Sequence, residues 1–164
     1  MTARASSFLI ALAALGLVAA CKPDPVVVQL RFPSQQMFLQ SEFARIAVVD
    51  LAANDLGACP RLVDQGINDS FNPRPVLDSG ATAVCNFRSG GVTFDEIDEG
   101  PKAFVGIVRE ENNTAILAGC AIGEAYNDAP TIDIVLTATE QYRTAALDML
   151  TCSDIEDKCE RGCR

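Results

Sequence analysis

Apolar and polar positions alternate with a period of two along much of this chain, and that period predicts strands. Val26, Val28, Leu30 and Phe32 form one face of a first strand, with Gln29 and Arg31 on the other, and Pro33-Ser34 ends it. Phe43 to Leu51, with Ile46, Val48 and Val49, reads as a second strand. Ala52 to Gly80 is then long and irregular. Within it Cys59-Pro60-Arg61-Leu62-Val63-Asp64 predicts one helical turn, with Pro60 at the first position and Gly66 beyond the end. A loop of this length in a compact domain is usually functional or pinned, and Cys59 is the pin.

Two hairpins are expected next. Ala81 to Arg88 alternates Ala83, Cys85 and Phe87 against Thr82, Val84, Asn86 and Arg88; Ser89-Gly90-Gly91 supplies a tight turn, and Val92 to Ile97 returns. Ala103 to Val108 is followed by the turn Glu110-Glu111-Asn112-Asn113 and by Thr114 to Ala121, which puts Ile116, Ala118 and Cys120 on one face. Thr131 to Thr137 closes the series, with Ile132, Ile134 and Leu136 on one side. Seven strands with turn signals at short spacing predict an all-β fold, an antiparallel seven-stranded Greek-key sandwich over residues 26–138. In the tail, residues 139–164, the pattern changes. Tyr142, Ala145, Ala146, Met149 and Leu150 recur at three- and four-residue intervals, so the stretch Ala138 to Leu150 is either a short helix or a connector.

Cysteine usage changes this picture more than net charge does. Seven cysteines are present, and six of them, Cys59, Cys85, Cys120, Cys152, Cys159 and Cys163, lie in the folded part. An even number predicts disulfides where a chain folds in an oxidising compartment. The tail spacing C-x6-C-x3-C lacks the C-x2-C knuckle of thiolate zinc sites, so no metal is expected there. Three tail cysteines cannot all pair among themselves. One bridge inside the tail, one from tail to sandwich and one within the sandwich is the expected distribution.

Composition narrows the chemistry. The chain has no histidine, which removes Ser-His-Asp and Cys-His mechanisms and His-ligated metals. It has no tryptophan and no Gly-rich phosphate loop. A net charge of −9 argues against nucleic acid as a partner. Asp95, Glu96, Asp98 and Glu99 are the candidate calcium ligands, but their spacing is not that of an EF-hand and adjacent strand residues point to opposite faces. A solvated acidic turn is the expectation, with no cofactor and no catalytic residue. Asn68-Asp69-Ser70 and Asn112-Asn113-Thr114 read as turns, because Asn tolerates left-handed backbone.

At the start of the chain Arg4 precedes an unbroken apolar or small run, Phe8 to Ala20, that ends on Val18-Ala19-Ala20-Cys21. The run is too short for a membrane-spanning helix and has the layout of an export signal. Val18-Ala19-Ala20-Cys21 resembles the lipobox of bacterial lipoproteins. That resemblance implies a signal peptide over 1–20, lipid such as palmitate on Cys21, a tether over 21–25 and attachment to the membrane through the lipid alone. Lys22 rather than aspartate after the cysteine implies the outer membrane by the same resemblance. An ordinary secretory signal cut after Ala20 is the alternative. Val92-Thr93-Phe94, followed by Gly100-Pro101-Lys102-Ala103-Phe104-Val105, resembles bacterial surface modules of the immunoglobulin-like and transthyretin-like (carboxypeptidase regulatory) sandwiches. Ala115-Ile116-Leu117-Ala118-Gly119-Cys120 is similar to the next strand of such lipoproteins. These resemblances imply a non-catalytic module for binding or structure in the cell envelope, with other envelope proteins as partners. The alternative is a small-ligand binder, or an accessory subunit of an envelope enzyme or transport complex, that uses the 52–80 loop.

Overall fold

The computed structural model describes residues 25–52, 55, 57–88, 90–95, 97–125, 131–144 and 152–163. The signal segment 1–20, Cys21 with the tether to residue 24, Glu96, and residues 145–150 of the expected tail helix lie outside the described residues.

The fold is all-β: two sheets with few helices, tied by disulfides. Strand β1 (Val26–Arg31) leads to helix α1 (Gln35–Gln40), whose N-terminus is capped by the Ser34 hydroxyl accepting from the Met37 amide at 3.2 Å. Then come β2 (Phe43–Asp50), helix α2 (Cys59–Ile67), two short strands β3 (Leu77–Asp78) and β4 (Thr82–Ala83), and a 3-10 turn at Val84–Phe87. Strands β5 (Val92–Phe94), β6 (Gly100–Arg109), β7 (Ala115–Ala125), β8 (Thr131–Val135) and β9 (Thr137–Ala138) follow, then α3 (Glu140–Thr144) and a helical turn at Asp157–Arg161. The smaller sheet has the order β5-β1-β8. The larger has the order β3-β2-β6-β7-β9, with β4 also paired to β2.

The sheets pack face to face. Val26, Val28, Leu30, Phe94 and Ile134 of the smaller sheet meet Ala44, Ile46, Val48, Phe104, Val108 and Leu117 of the larger in one buried cluster. The opposite face of the larger sheet is not left to water. Val49, Ala103, Val105 and Ile107 are buried there under Ala58 and Leu62 of the helical segment, with Val63, Ile67 and Phe71 packed at the margin. Covered on both sides, β6 is buried continuously from Lys102 to Val108 and does not alternate. That is why Phe104 and Val108 are as apolar as Ala103, Val105 and Ile107.

Several expectations are corrected. Nine strands are present among the described residues where seven were expected. The single helical turn at Cys59–Asp64 is a nine-residue helix, and its amphipathic face docks on the sheet. Residues 81–88 are not a full strand. After β4 the chain tightens into the 3-10 turn, which buries Val84 and Phe87 three positions apart, and the Val84 amide donates to the Glu42 carbonyl. Consequently β5 pairs with β1, antiparallel, and not with residues 81–88. Gly91 makes this possible: its φ is +79°, and a Cβ there would lie 2.2 Å from the Val28 carbonyl oxygen. The segment expected as one strand over 131–137 is split at Leu136. It pairs in parallel with β1 as β8, then changes sheets to pair with β7 as β9. The parallel pair arises because β7 ends at the same end of the domain where β1 begins. Gly119 permits the crossing, since a Cβ there would sit 2.4 Å from the Val135 carbonyl oxygen. The hairpin of β6 and β7 forms, but a register shift at Val108 and Arg109 leaves Ile116 as an extra residue packed between the sheets with Leu117. Ala118 and Cys120 lie on the face under α2, so the three do not share one face as expected.

The disulfides are Cys59–Cys120, Cys85–Cys159 and Cys152–Cys163. The first ties α2 to β7, the second ties the tail to the 3-10 turn, and the third closes the tail on itself. Among the described residues no helix is long and apolar enough to cross a membrane.

Candidate functional site

The period of two that builds the larger sheet also builds a cleft on it. On β2 the side facing α2 carries Phe43, Arg45, Ala47 and Val49; on β6 it carries Ala103, Val105, Ile107 and Arg109. Helix α2 covers the apolar end of these rows and stops at Ile67. Gly66 lets its last turn lie close to the sheet, because a Cβ there would meet Ile107 at 2.9 Å. Beyond that point the sheet face continues uncovered, and the rows turn polar. The result is an open cleft of about 590 Å³, with Phe43, Ile107, Arg45, Arg109, Asp69 and Asp78 among its walls.

Its charged groups are paired in a chain. Asp78 on β3 accepts from Arg45 Nε at 3.0 Å and from the Gly80 amide at 2.9 Å. Asp69 lies just past α2 in the left-handed conformation, φ +51°, which aims its carboxylate back across the sheet. There Oδ1 accepts from Arg45 Nη1 at 2.7 Å and Oδ2 from Arg109 Nη2 at 3.0 Å. Arg109 Nη2 also donates to the Ile67 carbonyl at 3.0 Å, and Nη1 donates to the Asn113 carbonyl at 2.9 Å. A cation is favourable at a carbonyl in the last turn of a helix, which Ile67 provides. The Arg45 guanidinium additionally lies 5.9 Å from the centre of the Phe71 ring.

Electrostatics follow from the geometry. The hydrogen bond from Arg45 to Asp78 raises the arginine's pKa further, against the opposing effect of partial burial. For Asp78, burial pushes the pKa up, but the bonds from Arg45 and the Gly80 amide outweigh it, so the carboxyl is held below its usual range. A carboxylate kept ionised in this way is a poor proton carrier near neutrality. The cleft instead offers guanidinium and carboxylate edges beside an apolar floor of Phe43 and Ile107, a surface suited to holding a polar solute.

The residues singled out from the sequence are distributed elsewhere. Asp95, Asp98 and Glu99 are exposed, and among the described residues no group of three or more metal-ligating side chains converges. Buried Lys102 reaches into this region, donating to Asp50 at 2.8 Å and to the Glu99 carbonyl at 3.3 Å. Of the two Asn-containing turns, Asp69 and Asn113 take the left-handed conformation, and both border the cleft. Arg45, Asp78 and Arg109 were not singled out. The available signal was an arginine on the inward side of an otherwise apolar alternation, once on β2 and again at the end of β6. A second cavity of about 220 Å³ lies under the tail, beside Cys85, Cys163 and the ion pair of Lys158 with Glu42 at 3.3 Å.

Comparison of the chain with protein-family models, with curated proteins and with solved structures finds no match.

Proposed function

We propose that this protein is a non-catalytic lipoprotein of the cell envelope, anchored through lipid on Cys21 and lodged in the outer membrane, whose β-sandwich serves as a binding module. One observation carries the location: an apolar run of export-signal length that ends on Val18-Ala19-Ala20-Cys21. The three disulfides fit an oxidising compartment. The relation to immunoglobulin-like and transthyretin-like surface modules rests on the segments 92–94 and 100–105 and on the sandwich class.

A specific observation favours the second reading, a ligand binder that uses the 52–80 segment. Asp69, Asp78 and Gly80 of that segment line the cleft with Arg45 and Arg109. Concave sites with an apolar floor and a few fixed polar groups are the usual form of ligand pockets.

Cys21→Ala tests the anchor. The variant is expected in the soluble fraction without palmitate label, while the wild type floats with membranes and takes the label. A membrane-bound variant beside an unlabelled wild type refutes the lipid anchor.

A further inference from the structure

Strand direction gives the two ends of the sandwich different surroundings. We propose that the anchored protein keeps an acidic pole next to the bilayer and presents the Arg45–Arg109 cleft at the pole facing away from it, so that the cleft's ligand arrives from the aqueous phase. This inference rests on the lipoprotein reading.

The registers locate the attachment point. Val26 is five peptide steps from Cys21, so it lies within about 18 Å of the lipid-bearing residue. Val26 is opposite Phe94 and Val27 is opposite Thr131, which puts the end of β5 and the start of β8 at the same pole. The packing between sheets carries that level across. Ile132 fills the space above Gly123, which is paired with Lys102, while Leu30 and Ile134 lie over Gly106. The Val26 end of the smaller sheet is therefore the Gly100 end of the larger one. The cleft is at the other end, where Phe43 pairs with Arg109. Nine steps of about 3.3 Å along β6 separate Gly100 from Arg109 by about 30 Å.

Acidic residues lie at both poles, Glu42, Glu110 and Glu111 being at the cleft end, so what bears on the membrane is the charge of the near pole alone. The pole at Val26 carries exposed carboxylates on Asp95, Asp98, Glu99 and Glu124, beside Asp50, which is paired with Lys102. An anionic lipid surface repels such a pole over a Debye length of about 8 Å. The cleft exerts no opposing pull toward the lipid, because Arg45 and Arg109 are each paired with aspartate. The anchor thus sets which pole is near, and the acids keep that pole from adhering.

The test uses the native, lipid-modified protein in phosphatidylcholine vesicles with and without phosphatidylglycerol. A fluorophore is introduced through an unnatural amino acid at Asp98 or at Asn112, which leaves the disulfides intact, and a nitroxide on the lipid headgroup acts as a short-range quencher. Quenching is expected to be about twofold or more greater at position 98 than at 112, from the separation along β6. With phosphatidylglycerol it should rise at position 98 as salt is added. Equal or stronger quenching at 112 in protein that floats with the vesicles overturns the orientation alone. A lack of salt dependence overturns the repulsion. Protein that does not float overturns the lipid anchor, and the orientation with it.

Discussion

Helix α2 and the last part of the tail, residues 152–163, are both tied to the domain by a disulfide, yet they are held in different ways. The helix buries Leu62 completely and Ala58 and Gly66 nearly so, with Ile107, Val105 and Val49 beneath them, and Arg109 bonds its last carbonyls. The tail buries Cys152, but no residue of its helical turn at Asp157–Arg161 is buried. Its noncovalent ties to the domain include Lys158 to Glu42 and Arg88 to Glu160, the latter pair well exposed. An apolar face and a crosslink together make an element part of the core. A crosslink with a few polar ties and no buried residue in its helical turn makes an appendage, since an exposed pair such as Arg88–Glu160 contributes little in water.

That contrast can be broken most forcefully at Leu62. Leu62→Ala should cost about 2–5 kcal/mol by leaving a cavity under the helix, measured by chemical denaturation. A loss below about 1 kcal/mol, the range of a surface change, would mean that the disulfide alone holds α2.

Removing the crosslinks comes next. Replacing Cys59 and Cys120 with serine should cost about 2–4 kcal/mol, with α2 still docked by its apolar face. Replacing Cys85 and Cys159 opens a loop of similar length, 74 residues apart in sequence against 61, so the effect on the unfolded chain is nearly equal. The native-state outcome should differ. Amides of 152–163 should lose hydrogen-exchange protection while the β-core unfolds in one cooperative transition. If the tail stays protected, or the core melts with it, the appendage description is wrong.

The ion network of the cleft should matter less. Arg45 and Asp78 side chains remain about a third exposed, at 31% and 32%, so Asp78→Asn should cost about 1 kcal/mol or less. Because the folded pKa of Asp78 lies below its unfolded value, its contribution is present above the ordinary carboxylate pKa of about 3.9 and disappears as pH falls through the folded value. The stability gap between wild type and variant should therefore close in acid, as thermal melts across that range would show. A gap that widens there contradicts the assigned direction. The smallest effect belongs to Arg88→Ala, about 0.5 kcal/mol or less in the same melts, because both partners are in water.

Alternation of small and branched apolar residues was enough to determine an all-β chain, the pairing of β6 with β7 as a hairpin and the inward face of β1. Parity and position of the six cysteines limited how the tail could be tied. Asn in a short polar turn marked the left-handed position at 113, whereas in the turn at 68–70 the left-handed residue is Asp69 and not Asn68. These are local properties, set by side-chain period, backbone sterics and counting. What joins them is not local. Ala81 to Arg88 alternates like a strand, yet a 3-10 turn buries Val84 and Phe87 equally well, and only the disulfide partner and the Glu42 carbonyl select it. The parallel placement of β8 depends on where β7 ends. The cleft depends on where α2 stops over the sheet. Arg45, Asp69, Asp78 and Arg109 are far apart in sequence, and no period relates them. They meet because one helix leaves the last rungs of β2 and β6 uncovered, and tertiary packing alone decides that.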